Sequence, residues 1–138
     1  MAFAHGKTAF FSVDDSGGTP RDLSTYLDSI SMPRSIETAE TTTFSVTGSA
    51  KTFIVGLNDS SISISGKFDA TADGYIAGAL GQSASLSFVY GPTGNTVGMV
   101  KYSGECFMTK YDLGSQVGDV VSASVDYQVT STVTRGTF

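Results

Sequence analysis

Tryptophan is absent from this 138-residue chain, and cysteine and histidine occur once each. The lone Cys106 excludes an internal disulfide, and in the apolar run "ECFMTKY" it reads as a small buried hydrophobe. One thiol and one imidazole are too few for zinc, which takes three or four such ligands. Serine-type hydrolysis needs a base beside its nucleophile. The only imidazole, His5, lies near a chain end, where an incidental residue is the simpler reading. The nearest approach to a calcium loop, "VDDSGG" at Val13–Gly18, has the order of a turn. "GPTGN" at Gly91–Asn95 lacks the Gly-Lys-Ser/Thr ending of a phosphate loop and also reads as a turn. The expectation is therefore no catalytic residue, no cofactor, no metal and no enzyme.

Charge is also scarce. Charged residues make up 15% of the chain, against about 25% in an ordinary soluble domain. The net charge is −5, and the eight basic residues are scattered from Lys7 to Arg135. Tight nucleic-acid binding needs clustered Lys and Arg to displace counterions from phosphates, and an anionic membrane surface asks for the same. No run approaches the ~18 apolar residues of a membrane-spanning helix. The start "MAFAHGKTAFF" lacks a basic stretch followed by a long apolar one, so no signal peptide is expected.

What fills the chain instead is 20 Ser and 17 Thr, with nine Phe and six Tyr for a core. That mixture favours strands and turns. "SSISISGKFDA", Ser60–Ala70, sets Ile62, Ile64 and Phe68 against Ser61, Ser63, Ser65 and Lys67, the period of a half-buried strand. "AKTFIV" before it predicts another strand, with "GLND" as the turn of an antiparallel hairpin. "SASLSFVYG" and "VVSASVDYQV" alternate in the same way. "KTAFFSVD" predicts a first strand, and "DLSTYLDSISMPR" a second. "TVGMVKYSGECFMTKYDL" predicts one bent strand or two, with Gly104 as a bulge. The helix is expected in "DATADGYIAGALGQ", capped by Asp69 or Thr71 and ended by Gly81. Ser35–Gly48, Thr-rich and without clean periodicity, reads mostly as a long loop between the second and third strands. The fold class is mainly β: one antiparallel β-sandwich or barrel, residues 1–138, of seven to eight strands with one flanking α-helix.

Three strands thus present serine-rich outer faces, at Ser61–Ser65, Ser83–Ser87 and Ser122–Ser124. Hydroxyl side chains lose little entropy when immobilised, and a partner covers them without stranding a charge. Simple tolerance of Ser on exposed strands explains any single case. Three cases together with a Thr-rich loop favour assembly.

The order "FFSVDD", "RDLSTYLDSISMP", "ETAETTTF", "AKTFIVGLNDSSISISGKFD", a short helix, "FVYGPTGN", "KYSGECFMTKY" and "VVSASVDYQVTSTVTRGTF" resembles the major tail tube proteins of long-tailed bacteriophages over nearly the whole chain. The resemblance implies a structural virion protein, a homo-oligomer of stacked hexameric rings enclosing a channel for double-stranded DNA. It implies a place in the virion tail, assembled in the host bacterial cytoplasm, with tape-measure, tail-tip and tail-terminator proteins as partners and no membrane. It further implies that an N-terminal arm (1–6), the long loop (32–50) and a C-terminal arm (131–138) reach neighbouring subunits. Pro33, Arg34, Glu37, Glu40, Thr42, Thr43, Phe44, Arg135 and Phe138 are then inter-subunit contacts. Ser61, Ser63, Ser65 and Lys67 form a candidate lumen or seam strand, with Lys67 near a strand end or paired with Asp69. A net negative lumen is expected, since a basic wall would hold phosphates. Two alternatives share this pattern: a capsid decoration or cement protein, and the tube protein of a secretion system.

Overall fold

The computed structural model describes residues 3–44 and 48–138. Among the described residues there are nine strands: β1 (Phe10–Asp14), β2 (Pro20–Asp22), β3 (Leu27–Ser31), β4 (Arg34–Glu40), β5 (Phe53–Lys67), β6 (Leu86–Gly91), β7 (Val100–Gly114), β8 (Ser122–Val129) and β9 (Thr134–Thr137). All pair antiparallel in the order β2-β1-β6-β7-β8-β5-β3, with β4 also on β5 and β9 also on β7. The mainly β expectation holds, with one strand more than the upper count.

The two edge strands of this order, β2 and β3, are consecutive in sequence and joined only by Leu23–Tyr26. Four residues span little more than ~15 Å even when extended. The sheet must therefore curl until its edges nearly meet, an open barrel flattened around one core. Leu23, 1% exposed, plugs the seam. The Leu23 N–H donates to the Phe11 carbonyl and the Phe11 N–H to Ser24 Oγ, at 3.0 and 2.9 Å. The inner face is the alternation read from sequence: Ile62 and Ile64 on β5, Leu86 and Phe88 on β6, Val125, Tyr127 and Val129 on β8. Cys106 joins them, fully buried.

The helix α1 (Ala70–Ile76) closes the core's open side and runs on into a 3-10 turn, Ala77–Ala79. Asp69 is its N-cap, with Oδ1 accepting from the Thr71 and Ala72 N–H groups. It buries Ala72, Ile76 and Ala79, whereas Leu80, just beyond the turn, is 47% exposed. Gly81 ends it at φ +80°, a conformation glycine adopts without strain. Tyr111 Oη donates to Asp73 Oδ1 at 2.6 Å, fastening helix to sheet.

Four readings change. Gly56–Asp59 is not a turn: β5 runs unbroken for 15 residues. Its register with β4 advances from Ile36↔Asn58 to Thr38↔Val55, so Gly56 and Leu57 both oppose Glu37. A bulge absorbs the glycine that resembled a turn signal. The start of the expected Ser35–Gly48 loop is strand β4, and positions 45–47 of that stretch lie outside the described residues. On β7 the bulge falls between Met108 and Lys110, while Gly104 pairs regularly with Phe88. A Cβ at Gly104 would come within 3.3 Å of the Phe88 ring, so the glycine serves packing. Finally, Ser83 and Ser85 precede β6, which leaves Ser87 as its only strand serine.

Candidate assembly surfaces

β3 and β4 are one long edge interrupted at Met32–Pro33. Proline has no N–H to donate, yet its carbonyl still accepts from the Ser61 N–H at 3.2 Å. Beyond Pro33 the ribbon leaves the body. Every residue of β4 is exposed, as is β5 from Phe53 to Asp59. β8 covers the second edge of β5 only from Ser61 to Lys67, so Phe53–Ser60 has β4 as its single strand neighbour among the described residues. A two-stranded ribbon is marginal in water on its own. This one nevertheless carries Ile36, Phe53, Ile54, Val55 and Leu57, each more than half exposed. Directly opposed residues share a face: Phe53 with Glu40 and Val55 with Thr38 on one side, Ile54 with Ala39 on the other. Apolar groups on both faces, beside an open strand edge, define a surface made to be covered by another chain.

The expected contact residues distribute along this arm. Arg34, Glu37 and Glu40 lie on β4, and Pro33 just before it. Thr42 Oγ1 accepts from the Thr52 N–H at 2.9 Å and Thr41 bonds Thr52 through its hydroxyl, which ties the strands beyond β4. Thr43 is exposed, and Phe44 is fully exposed. Lys51 and Glu40 approach to 4.0 Å, a loose surface pair.

The chain's end behaves differently. Residues 134–137, expected in an arm reaching outward, form β9 on their own β7. Arg135 is exposed there, opposite Tyr102. Phe138 packs edge-on against Phe10 at 5.7 Å, with Lys101 over its ring. Its N–H donates to the Met99 carbonyl, and its carbonyl accepts from the Gly98 N–H. At the other end His5 Nδ1 accepts from the Lys7 N–H in a 3-10 turn.

The serine strand is the outer face of β5, and its neighbours continue it. Ser63 stands between Ser31 and Asp126, Ser65 between Ser29 and Ser124, and Ser61 beside Gln128. Asp126 and Ser124 in turn face Lys110 and Asp112 of β7. Lys67 ends the strand, as expected, but its partner is Asp28 at 3.3 Å, because Asp69 is engaged as the helix cap. Asp28, Asp59, Asp112 and Asp126 thus oppose Lys67 and Lys110, four acids to two bases on a smooth, hydroxyl-rich wall.

Sequence reasoning missed two features. One is a groove of about 540 Å³ under the arm, between Arg34, Ile36, Asn58 and Ser60 on one side and Val129–Val133 on the other. The second is the β7–β8 hairpin tip, where Leu113, Val117 and Val120 are exposed. Isolated valines in a Gly-rich turn give no periodic signal. Among the described residues no set of three or more His, Cys, Asp or Glu side chains gathers to hold a metal ion.

A complete core with an apolar arm, an open strand edge and a broad polar wall defines a building block, a subunit of a larger structure. Across residues 4–135 the sequence fits the phage tail tube proteins, and the chain belongs to that family. It is therefore a structural protein of the virion tail and not an enzyme, and the cement-protein reading is set aside. Solved structures share its fold at low identity. The tail of an empty gene transfer agent particle, refined helically with C6 symmetry, matches with a TM-score of 0.79 at 15% identity, covering 96% of this chain and 98% of that one. The SPP1 tail tube matches at 0.70 and 14% identity, covering 99% and 80%. The six-fold symmetrised baseplate of the anti-feeding prophage matches at 0.73 and 10% identity, covering 99% and 96%. No curated protein matches.

Proposed function

We propose that six copies of this subunit close into a ring, that rings stack into a hollow tube, and that double-stranded DNA passes through it. The observation that carries the reading is the arm, whose exposed apolar groups on both faces have no cover among the described residues. The sixfold symmetry of the gene transfer agent tail supports the ring order. Pro33, Arg34, Glu37, Glu40, Thr42, Thr43 and Phe44 contact neighbouring subunits. Arg135 and Phe138 do so from the outer surface of the docked β9.

The outer face of β5 and its neighbours lines the bore. Ser61, Ser63 and Ser65 offer DNA no fixed cation, and the acid excess repels phosphates. Lys67 is held by Asp28, which leaves Lys110, opposite Asp126, as the other base on this wall. The tape-measure protein would fill the bore before DNA, and tail-tip and terminator proteins would cap the ends of the stack. Electron microscopy of the purified protein tests the reading. Hollow filaments with sixfold cross-sections and Ser63 facing the bore are expected. Persistent monomers, or filaments with Ser63 on the outside, would refute it.

A further inference from the structure

The groove and the β7–β8 tip are complementary and cannot meet within one molecule. β5 and β8 pair from Ser61↔Gln128 to Lys67↔Ser122. Seven pairs at ~3.4 Å per residue separate their ends by about 20 Å. The groove opens at the Ser61 end, and the tip, beyond Ser122, projects from the Lys67 end. Resting on the tube reading, we infer that the β7–β8 tip of one copy seats in the groove of a second copy, head to tail.

Chemistry and charge match. The groove is lined mostly by Ser, Thr and Asn, with Ile36 as its exposed apolar side chain, and it holds Arg34, which lies 5.8 Å from the centre of the Tyr102 ring and has no acid partner among the described residues. The tip offers Val117, wholly exposed, and Asp119 beside it. Asp119 Oδ1 accepts from the Val120 N–H at 2.8 Å, which orients the carboxylate and leaves Oδ2 free for a guanidinium. The groove, about 540 Å³ and open to solvent, leaves room for a side chain from another chain. A tip-to-groove contact uses different surfaces on each partner, and such a contact propagates along a stack.

Charge reversal tests it. R34E and D119R should each raise the concentration needed for filaments at least about tenfold, with unchanged subunit melting. The double variant R34E/D119R should return to within about threefold of wild type. Independently, filaments built from V117C/T132C protein should give a ladder of oxidised multimers, since the native Cys106 is buried. Wild-type filaments with unaffected single variants, or with no ladder, would overturn the contact while leaving the tube standing. Wild-type protein that never polymerises would remove both.

Discussion

Leu57 is the most exposed of the five large apolar residues on the strands of the arm at 77%, and Leu57→Asp separates the roles of arm and core. Full burial of a leucine yields roughly 1.5–3 kcal/mol. Covering the exposed three-quarters would therefore contribute about 1–2 kcal/mol per subunit. Aspartate forfeits that gain and adds a desolvation cost of ~1–3 kcal/mol if the neighbour offers its carboxylate no partner. At 1.4 kcal/mol per tenfold, the critical concentration for assembly should rise at least ~30-fold. The isolated subunit should hardly notice. A surface change away from special features costs within ~0.5 kcal/mol, so melting should move by no more than about 2–3 °C. Sedimentation across a concentration series reads the first quantity, and thermal denaturation by circular dichroism the second. Filaments of L57D at wild-type concentration would mean that the arm is not a seam. A collapse in melting would mean that the residue packs within its own chain, contrary to its exposure.

Three further outcomes follow from the interior and its turns. Gly66→Ala would drive a Cβ into the Tyr26 carbonyl oxygen and the Leu27 backbone, which have no rotamer to escape into. A loss of ~1–3 kcal/mol and a melting drop of several degrees are expected, and an unchanged melt would contradict the tight β3–β5 approach. Asp15 accepts from the Thr19 and Gly17 N–H groups and from Arg21 Nε. The Thr19 hydrogen bond first, then Arg21, holds its carboxyl below the usual 3.8. A depressed folded value stabilises above the ordinary pKa and fades as acid carries the pH through it. The stability gap between wild type and D15N should therefore be flat at neutral pH and close only in strong acid, whereas a gap closing near neutrality would refute the assignment. Burial first, then the charges of Glu105 and Asp14, pushes the Cys106 thiol up to about 12. Iodoacetamide at pH 8 should label it only as fast as the subunit unfolds, and rapid labelling of native protein would disprove its burial.

What the sequence disclosed and what it hid divide along one physical line. β8, β6 and the second half of β5 were legible because each has one face on this chain's own core, so apolar residues recur at every second position. The helix start was legible because Asp69 accepts from N–H groups two and three residues on, a purely local arrangement. The arm was not. Its β4 strand reads "RSIETAE", with a single large apolar residue, and its β5 half reads "FIVGL", with apolar residues adjacent rather than alternating. Alternation encodes an inside and an outside, and a ribbon exposed on both faces packs neither of them on its own core. Gly56 deepened the misreading, since a bulge and a turn ask for the same residue and only the register with Glu37 tells them apart. The Arg34 groove and the Val117 tip were invisible for a related reason: they lie at opposite ends of the β5–β8 pairing, about 20 Å apart, and neither imposes a period on the sequence; in the proposed contact each would meet its complement only on another copy. Where paired strands lack the period that burial in their own chain would impose, the missing constraint belongs to a neighbour, and in this chain that happens at the surfaces from which a tube would be built.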